Sequence, residues 1–114
     1  MTNDRLTAIL AERVMGWRVT GGRFLMGARR WAPRWRFQPV KKIADAIRLL
    51  EKAMPETCAM DCDERGTFHV QLRLAGKTGE AHSKSKARAI TYAIARALRL
   101  EVDDEPNGGK VDGL

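Results

Sequence analysis

The chain is poor in the residues that build catalytic and metal centres: two cysteines, two histidines and one tyrosine in 114 residues. It also lacks any apolar run approaching the roughly 18 residues that a bilayer-spanning helix needs, so no membrane association is expected. The opening residues lack the charged-then-apolar layout of a secretion signal, because Glu12 and Arg13 interrupt the pattern that follows. The expected location is the cytoplasm. Cys58 and Cys62 sit four apart in a segment that reads as extended, which separates them by about 13 Å, too far for a disulfide or a shared metal ion. They read as reduced, partly buried thiols. His69 and His82 have no carboxylate at an informative spacing, and no Ser-His-Asp order, zinc spacing, phosphate loop or carboxylate pair emerges. The expectation is a protein that is not an enzyme and needs no cofactor or metal.

Apolar residues make up 44% of the chain, enough for one globular domain. The formal charge of +7 is unevenly spread. After residue 102, Asp103, Asp104, Glu105 and Asp112 face Lys110 alone, so this end subtracts three charges and leaves the body at about +10. Residues 17–44 hold Arg18, Arg23, Arg29, Arg30, Arg34, Arg36, Lys41 and Lys42 and no acid. Such a body attracts polyanions.

Residues 67–74 organise the rest, with Phe68, Val70, Leu72 and Leu74 alternating with Thr67, His69, Gln71 and Arg73 as in a half-buried strand. Before it, Asn3 or Asp4 caps a helix reaching Met15, with Leu6, Ile9, Leu10 and Val14 on one face, and Gly16 ends it. Residues 17–38 read as a long irregular segment with a turn at Gly21-Gly22 and short extended pieces near 23–26 and 34–37. A second helix starts near Pro39, runs to Met54 on Ile43, Ala46, Ile47 and Leu50, and stops at Pro55. A strand over 57–61 turns Cys58, Met60 and Cys62 inward, Asp63-Glu64-Arg65-Gly66 makes a hairpin, and a turn at Ala75-Gly76-Lys77 leads to a weaker strand over 78–82. Ser83 caps a last helix that presents Ala87, Ile90, Ile94, Ala97 and Leu98 to the sheet and Lys84, Arg88, Tyr92, Arg96 and Arg99 to water. The fold class is α+β: helix, long loop, helix, three-stranded antiparallel sheet, helix. Residues 1–100 form a single domain and residues 101–114 an acidic flexible tail.

The residues Val14-Met-Gly-Trp17, Trp31 with Pro33, Phe37 with Pro39, Ile43-Ala-Asp-Ala46 and the alanine-rich run 87–97 resemble the phage α/β/α-sandwich domain, a family of phage and prophage proteins. The resemblance implies a prophage context and covers roughly residues 6–100. Residues 39–100, read as helix, three strands, helix, also have the element order of the double-stranded-RNA-binding domain. Lys84, Lys86 and Arg88 are similar to that domain's phosphate-contacting cluster at the start of its last helix, although a serine separates the lysines and an alanine stands where glycine is usual. On that likeness the three would contact phosphates.

Candidate nucleic-acid contacts are therefore Arg29, Arg30, Arg34, Trp35, Arg36, Lys41, Lys42, Lys84, Lys86 and Arg88. Arginines interleaved with Trp17, Phe24, Trp31, Trp35 and Phe37 suit a single-stranded groove, in which cations follow phosphates and rings stack on bases. The other reading is that the rings pin the long segment and the arginines solvate it. Trp17 and Trp31 are assigned that structural part, and Trp35 the exposed contact. Three functions are consistent with the sequence: nucleic-acid binding, binding and inhibition of a host protein such as a defence complex, and a self-associating virion module.

Overall fold

The computed structural model describes residues 2–27 and 29–102. From residue 103 on, the expected acidic tail lies outside the described residues. Helix α1, Asn3–Leu10, is capped by Thr2, whose hydroxyl accepts from the Arg5 N–H at 3.1 Å. The cap thus falls one residue before Asn3. Wider π-helical winding follows over Ala11–Met15, and Gly16 in the left-handed region ends it, as expected.

Residues 17–38 are not irregular. Strands β1 (Arg18–Thr20), β2 (Arg23–Leu25) and β3 (Trp31–Pro33) form a small antiparallel meander of order β1-β2-β3. Each strand has only three residues, too few to display an alternating pattern. The second extended piece lies at 31–33, and Arg34–Arg36 instead forms a tight helical turn. Phe24 and Phe37 are buried, and Trp17 packs on both with ring centroids 5.5 and 5.0 Å away. These three rings fasten the meander to the helices.

Helix α2 spans Ile43–Ala53, four residues later than Pro39 suggests, because residues 39–42 form a turn with Lys41 and Lys42 N–H donating to the Gln38 carbonyl. Pro39 and Val40 are buried in that turn. Ala46 and Leu49 are buried, whereas Met54 sits beyond the helix at φ 51° and is exposed. Asp45 accepts from the Gln38 N–H at 2.9 Å and ties the helix start to the connector.

Strands β4 (Thr57–Cys62), β5 (Phe68–Leu74) and β6 (Lys77–Ser83) form a second antiparallel sheet of order β4-β5-β6. β5 is central, with Val70, Leu72 and Leu74 buried. Cys58, Met60 and Cys62 pair with Leu72, Val70 and Phe68 and so share the apolar face, yet every residue of β4 is exposed. The buried-thiol expectation is therefore corrected: the helix covering this sheet lies over β5 and β6, and β4 extends beyond it.

That helix, α3 (Lys86–Ala97), is capped by Ser85 rather than Ser83; the Ser85 hydroxyl accepts from Arg88 N–H, and the Ser83 hydroxyl accepts from Ser85 N–H. The helix has no broad wet face. Ala89, Thr91, Tyr92, Ala93 and Ala95 are buried along with the expected Ala87, Ile90 and Ile94, because α2 packs on the side away from the sheet. Tyr92 donates to the Asn3 side chain, and Arg13 donates to the Leu98 carbonyl, so the helical segment from Asn3 to Met15 is tied to α3 and to the residue that follows it. The α+β architecture is as expected, with α3 as a middle layer. Opposite the helix, Gln71, Arg73, Glu80 and His82 remain exposed, and His69 interacts with Glu80. Among the described residues no helix is long and apolar enough to cross a membrane.

Candidate functional site

The basic residues of the connector have different neighbours. Arg34 is a clamp: its guanidinium donates to the Asp4 carbonyl at 3.0 Å and the Gly21 carbonyl at 3.4 Å and lies over the Phe24 ring. It therefore joins α1, the β1-β2 turn and the aromatic cluster. Arg29, Arg30, Arg36, Lys41 and Lys42 are exposed. Trp35 is 60% exposed, as expected, with Arg36 over its ring. Trp31 is 46% exposed, which corrects its assignment as a buried pin, and carries Arg23 at 4.5 Å over its ring. Trp17 is half-buried and has the pinning part expected of it.

One contributor was missed by the sequence reading. Arg48, on α2, places its guanidinium 5.1 Å from the centre of the Trp17 ring. Around it Arg30, Arg36, Trp31 and Phe37 close a pocket of about 250 Å³. Among the described residues, Arg30, Arg36 and Arg48 have no carboxylate within ion-pair distance. In the sequence Arg48 looks like an ordinary exposed residue of an amphipathic helix, and only the packing of α2 against the Ala11–Met15 segment brings it to Trp17.

At the last helix, Lys86 lies over the Phe68 ring at 5.9 Å, and Arg88, half-buried, lies over Tyr92 at 4.8 Å. Lys84 is exposed near the hairpin turn that contains Asp63. The Asp63 carboxylate accepts from Arg65 and Thr67 N–H at 2.8 and 3.0 Å. Its pKa is lowered by the Thr67 N–H first and the Arg65 N–H next, with smaller contributions from the charges of Arg65 and Lys84. An acid thus borders this basic group; residues 17–44 contain no acid, although Asp45 accepts from the Gln38 N–H at the end of the connector.

The two basic groups flank the first turn of α1. Arg88 stacks on Tyr92, Tyr92 donates to Asn3, and the neighbouring Asp4 carbonyl accepts from Arg34. A further tie is buried: the Thr91 hydroxyl donates to the Pro39 carbonyl at 2.8 Å. Lys84 and Lys86 lie beyond these ties, toward the Phe68 end of the second sheet. Among the described residues no group of His, Cys, Asp and Glu is placed to hold a metal ion.

No family model matches the chain, and no curated protein matches it. Among solved structures, a phage protein from Bacillus cereus ATCC 14579, known from a 2.0 Å crystal structure, is similar. The TM-score is 0.70 at 15% sequence identity, over 90% of this chain and 93% of that one. The likeness shows that the two share a fold.

Proposed function

We propose that this is a non-enzymatic prophage protein of the host cytoplasm that binds nucleic acid through the basic connector and the start of α3. The fold shared with a phage protein, together with the Met15-Gly16-Trp17 and alanine-rich motifs of the phage α/β/α-sandwich family, supports the phage context. The observation that carries the binding reading is an acid-free run of cations from residue 17 to residue 44 interleaved with the exposed rings of Trp31 and Trp35. Cations of this kind attract phosphates at any sequence, and open rings accept unpaired bases. Single strands suit the surface better than duplexes, because stacking on Trp31 and Trp35 requires a base free of its partner. The double-stranded-RNA-binding reading is the weaker one, since Asp63 borders Lys84 and Arg88 is stacked on Tyr92.

The test is fluorescence anisotropy with labelled single- and double-stranded DNA and RNA. For about four phosphate contacts on a single strand, raising salt from about 50 to about 200 mM weakens binding about 50-fold. Reversing charge with Arg36→Glu and Lys42→Glu abolishes it. Absence of binding at low salt overturns the reading. Capture of one host protein from nuclease-treated lysate, without nucleic-acid binding, establishes the host-protein alternative instead; that alternative is supported by the open edge and exposed Met60 of β4.

A further inference from the structure

We infer that the pocket between the meander and α2 receives a nucleoside phosphate monoester, either the 5′-phosphorylated end of a single strand or a free mononucleotide. This assignment rests on the nucleic-acid reading above in taking the ligand to be a nucleotide. Three arginines, Arg30, Arg36 and Arg48, line a space of about 250 Å³ that also borders Trp17 and Phe37. That volume falls below the roughly 300–1,000 Å³ of pockets that enclose a whole ligand, so it suits one end of a larger molecule.

The charge favours a terminal group. A phosphate monoester carries about −1.5 to −2 charges at neutral pH and offers three acceptor oxygens, whereas an internal diester carries one charge and continues in two directions. Guanidinium forks match such oxygens in pairs. The floor is rigid, because Trp17 beneath Arg48 packs edge-on against Phe37 with ring centroids 5.0 Å apart. Trp31 lines this pocket and also a neighbouring shallow depression of about 390 Å³ formed with Gly22, Arg23, Ala32 and Pro33. The shared wall places an indole next to the phosphate pocket; Arg23 lies over one face of that ring, and the base of the same nucleotide stacks on the other. An end group held this way gives the surface a polarity along the strand that scattered phosphate contacts lack.

The experiment compares four probes on the full chain by calorimetry and anisotropy: a 5′-phosphorylated oligothymidylate, the same strand with a 5′-hydroxyl, thymidine 5′-monophosphate, and inorganic phosphate. The phosphorylated strand is expected to bind at least about tenfold more tightly than the hydroxyl strand, as charge-assisted hydrogen bonds to an added dianion require. Arg48→Ala and, independently, Arg30→Ala bring that ratio to near one, and circular dichroism verifies that each variant is folded. Trp31→Ala weakens the monophosphate but not inorganic phosphate. Equal affinity for the two strands, with no monophosphate binding, overturns the pocket assignment and leaves the nucleic-acid reading standing. Binding of the monophosphate with no strand bound supports the pocket, identifies a free nucleotide as its source, and overturns the nucleic-acid reading. Inorganic phosphate binding as tightly as the monophosphate, or no probe binding, overturns the assignment.

Discussion

Gly79 of β6 and Ala93 of α3 meet backbone to backbone: a Cβ placed on Gly79 would stand 2.0 Å from the Ala93 carbonyl oxygen and 2.5 Å from the Ala97 nitrogen. The helix can lie this low because the inward positions of β6 are Gly79, Ala81 and Ser83, and α3 answers with Ala93 and Ala97. Gly79→Ala therefore has to push the helix off the sheet. The expected loss is about 3 kcal/mol, the upper end for overpacking. Gly22→Ala, where a Cβ meets nothing within 4 Å, stays within about 0.5 kcal/mol. Denaturant midpoints of the two variants check the contrast.

The β5-β6 hairpin closes on Ala75 and Gly76, at φ 50° and 79°. Both central residues are left-handed, the geometry for which Asn-Gly is preferred, and alanine is strained there. Ala75→Asn is expected to stabilise the protein by about 0.5–1 kcal/mol. Thermal melting measures it.

Thr91 is fully buried, and its hydroxyl donates to the Pro39 carbonyl. Thr91→Val keeps the shape but leaves that carbonyl without its donor, at an expected cost of about 1–3 kcal/mol. Thr91→Ser, which retains the hydroxyl, recovers most of the loss. Urea unfolding of both variants is the measurement.

Asp63 has a folded-state pKa below its ordinary value of 3.8 because two turn N–H groups donate to it. A lowered pKa favours the folded state above the unfolded value, and that contribution is lost as pH falls through the folded value. The melting difference between the wild type and Asp63→Ala is therefore constant at neutral pH and narrows below pH 3.8. A difference that stays unchanged on acidification overturns the role of the carboxylate in the turn.

Both cysteines are exposed on β4, so two equivalents of a thiol reagent should react without denaturant. Desolvation pushes the Cys58 thiol above the ordinary value of 9.0, so its reaction quickens as pH is raised. Mass spectrometry after alkylation counts the modified sites. Fewer than two would restore the buried-thiol reading.

What the sequence made legible follows from how each element announces itself. β5 alternates large apolar and polar residues, and its two turns carry Asp63, Gly66 and Gly76, so strand, register and hairpins were readable from the chain. β6 looks weak in the sequence because its inward side chains are small, and small residues carry little hydrophobic signal while packing most closely. The meander looks irregular in the sequence because three-residue strands complete barely one alternation. Tyr92 and Arg88 were assigned to a wet face because the helical wheel separates residues around one axis and is blind to a second layer, here α1 and α2, covering the far side. Of the candidate site, Trp35 and the lysines at 41, 42, 84 and 86 are exposed, but Lys41, Lys42 and Lys84 precede α2 and α3 instead of lying within them. Arg48 was invisible for the opposite reason: its partners, Trp17 and Trp31, come from 31 and 17 residues away in the chain.

Arg34 is held by two carbonyl oxygens and a ring, and Arg23, Arg36 and Arg48 by rings, so neutral dipoles and quadrupoles immobilise these cations without cancelling them. A cation fastened by a carboxylate surrenders its outward field and recovers it only when the acid is protonated. Fastened in this way, these four arginines keep a positive charge that no ion pair among the described residues cancels.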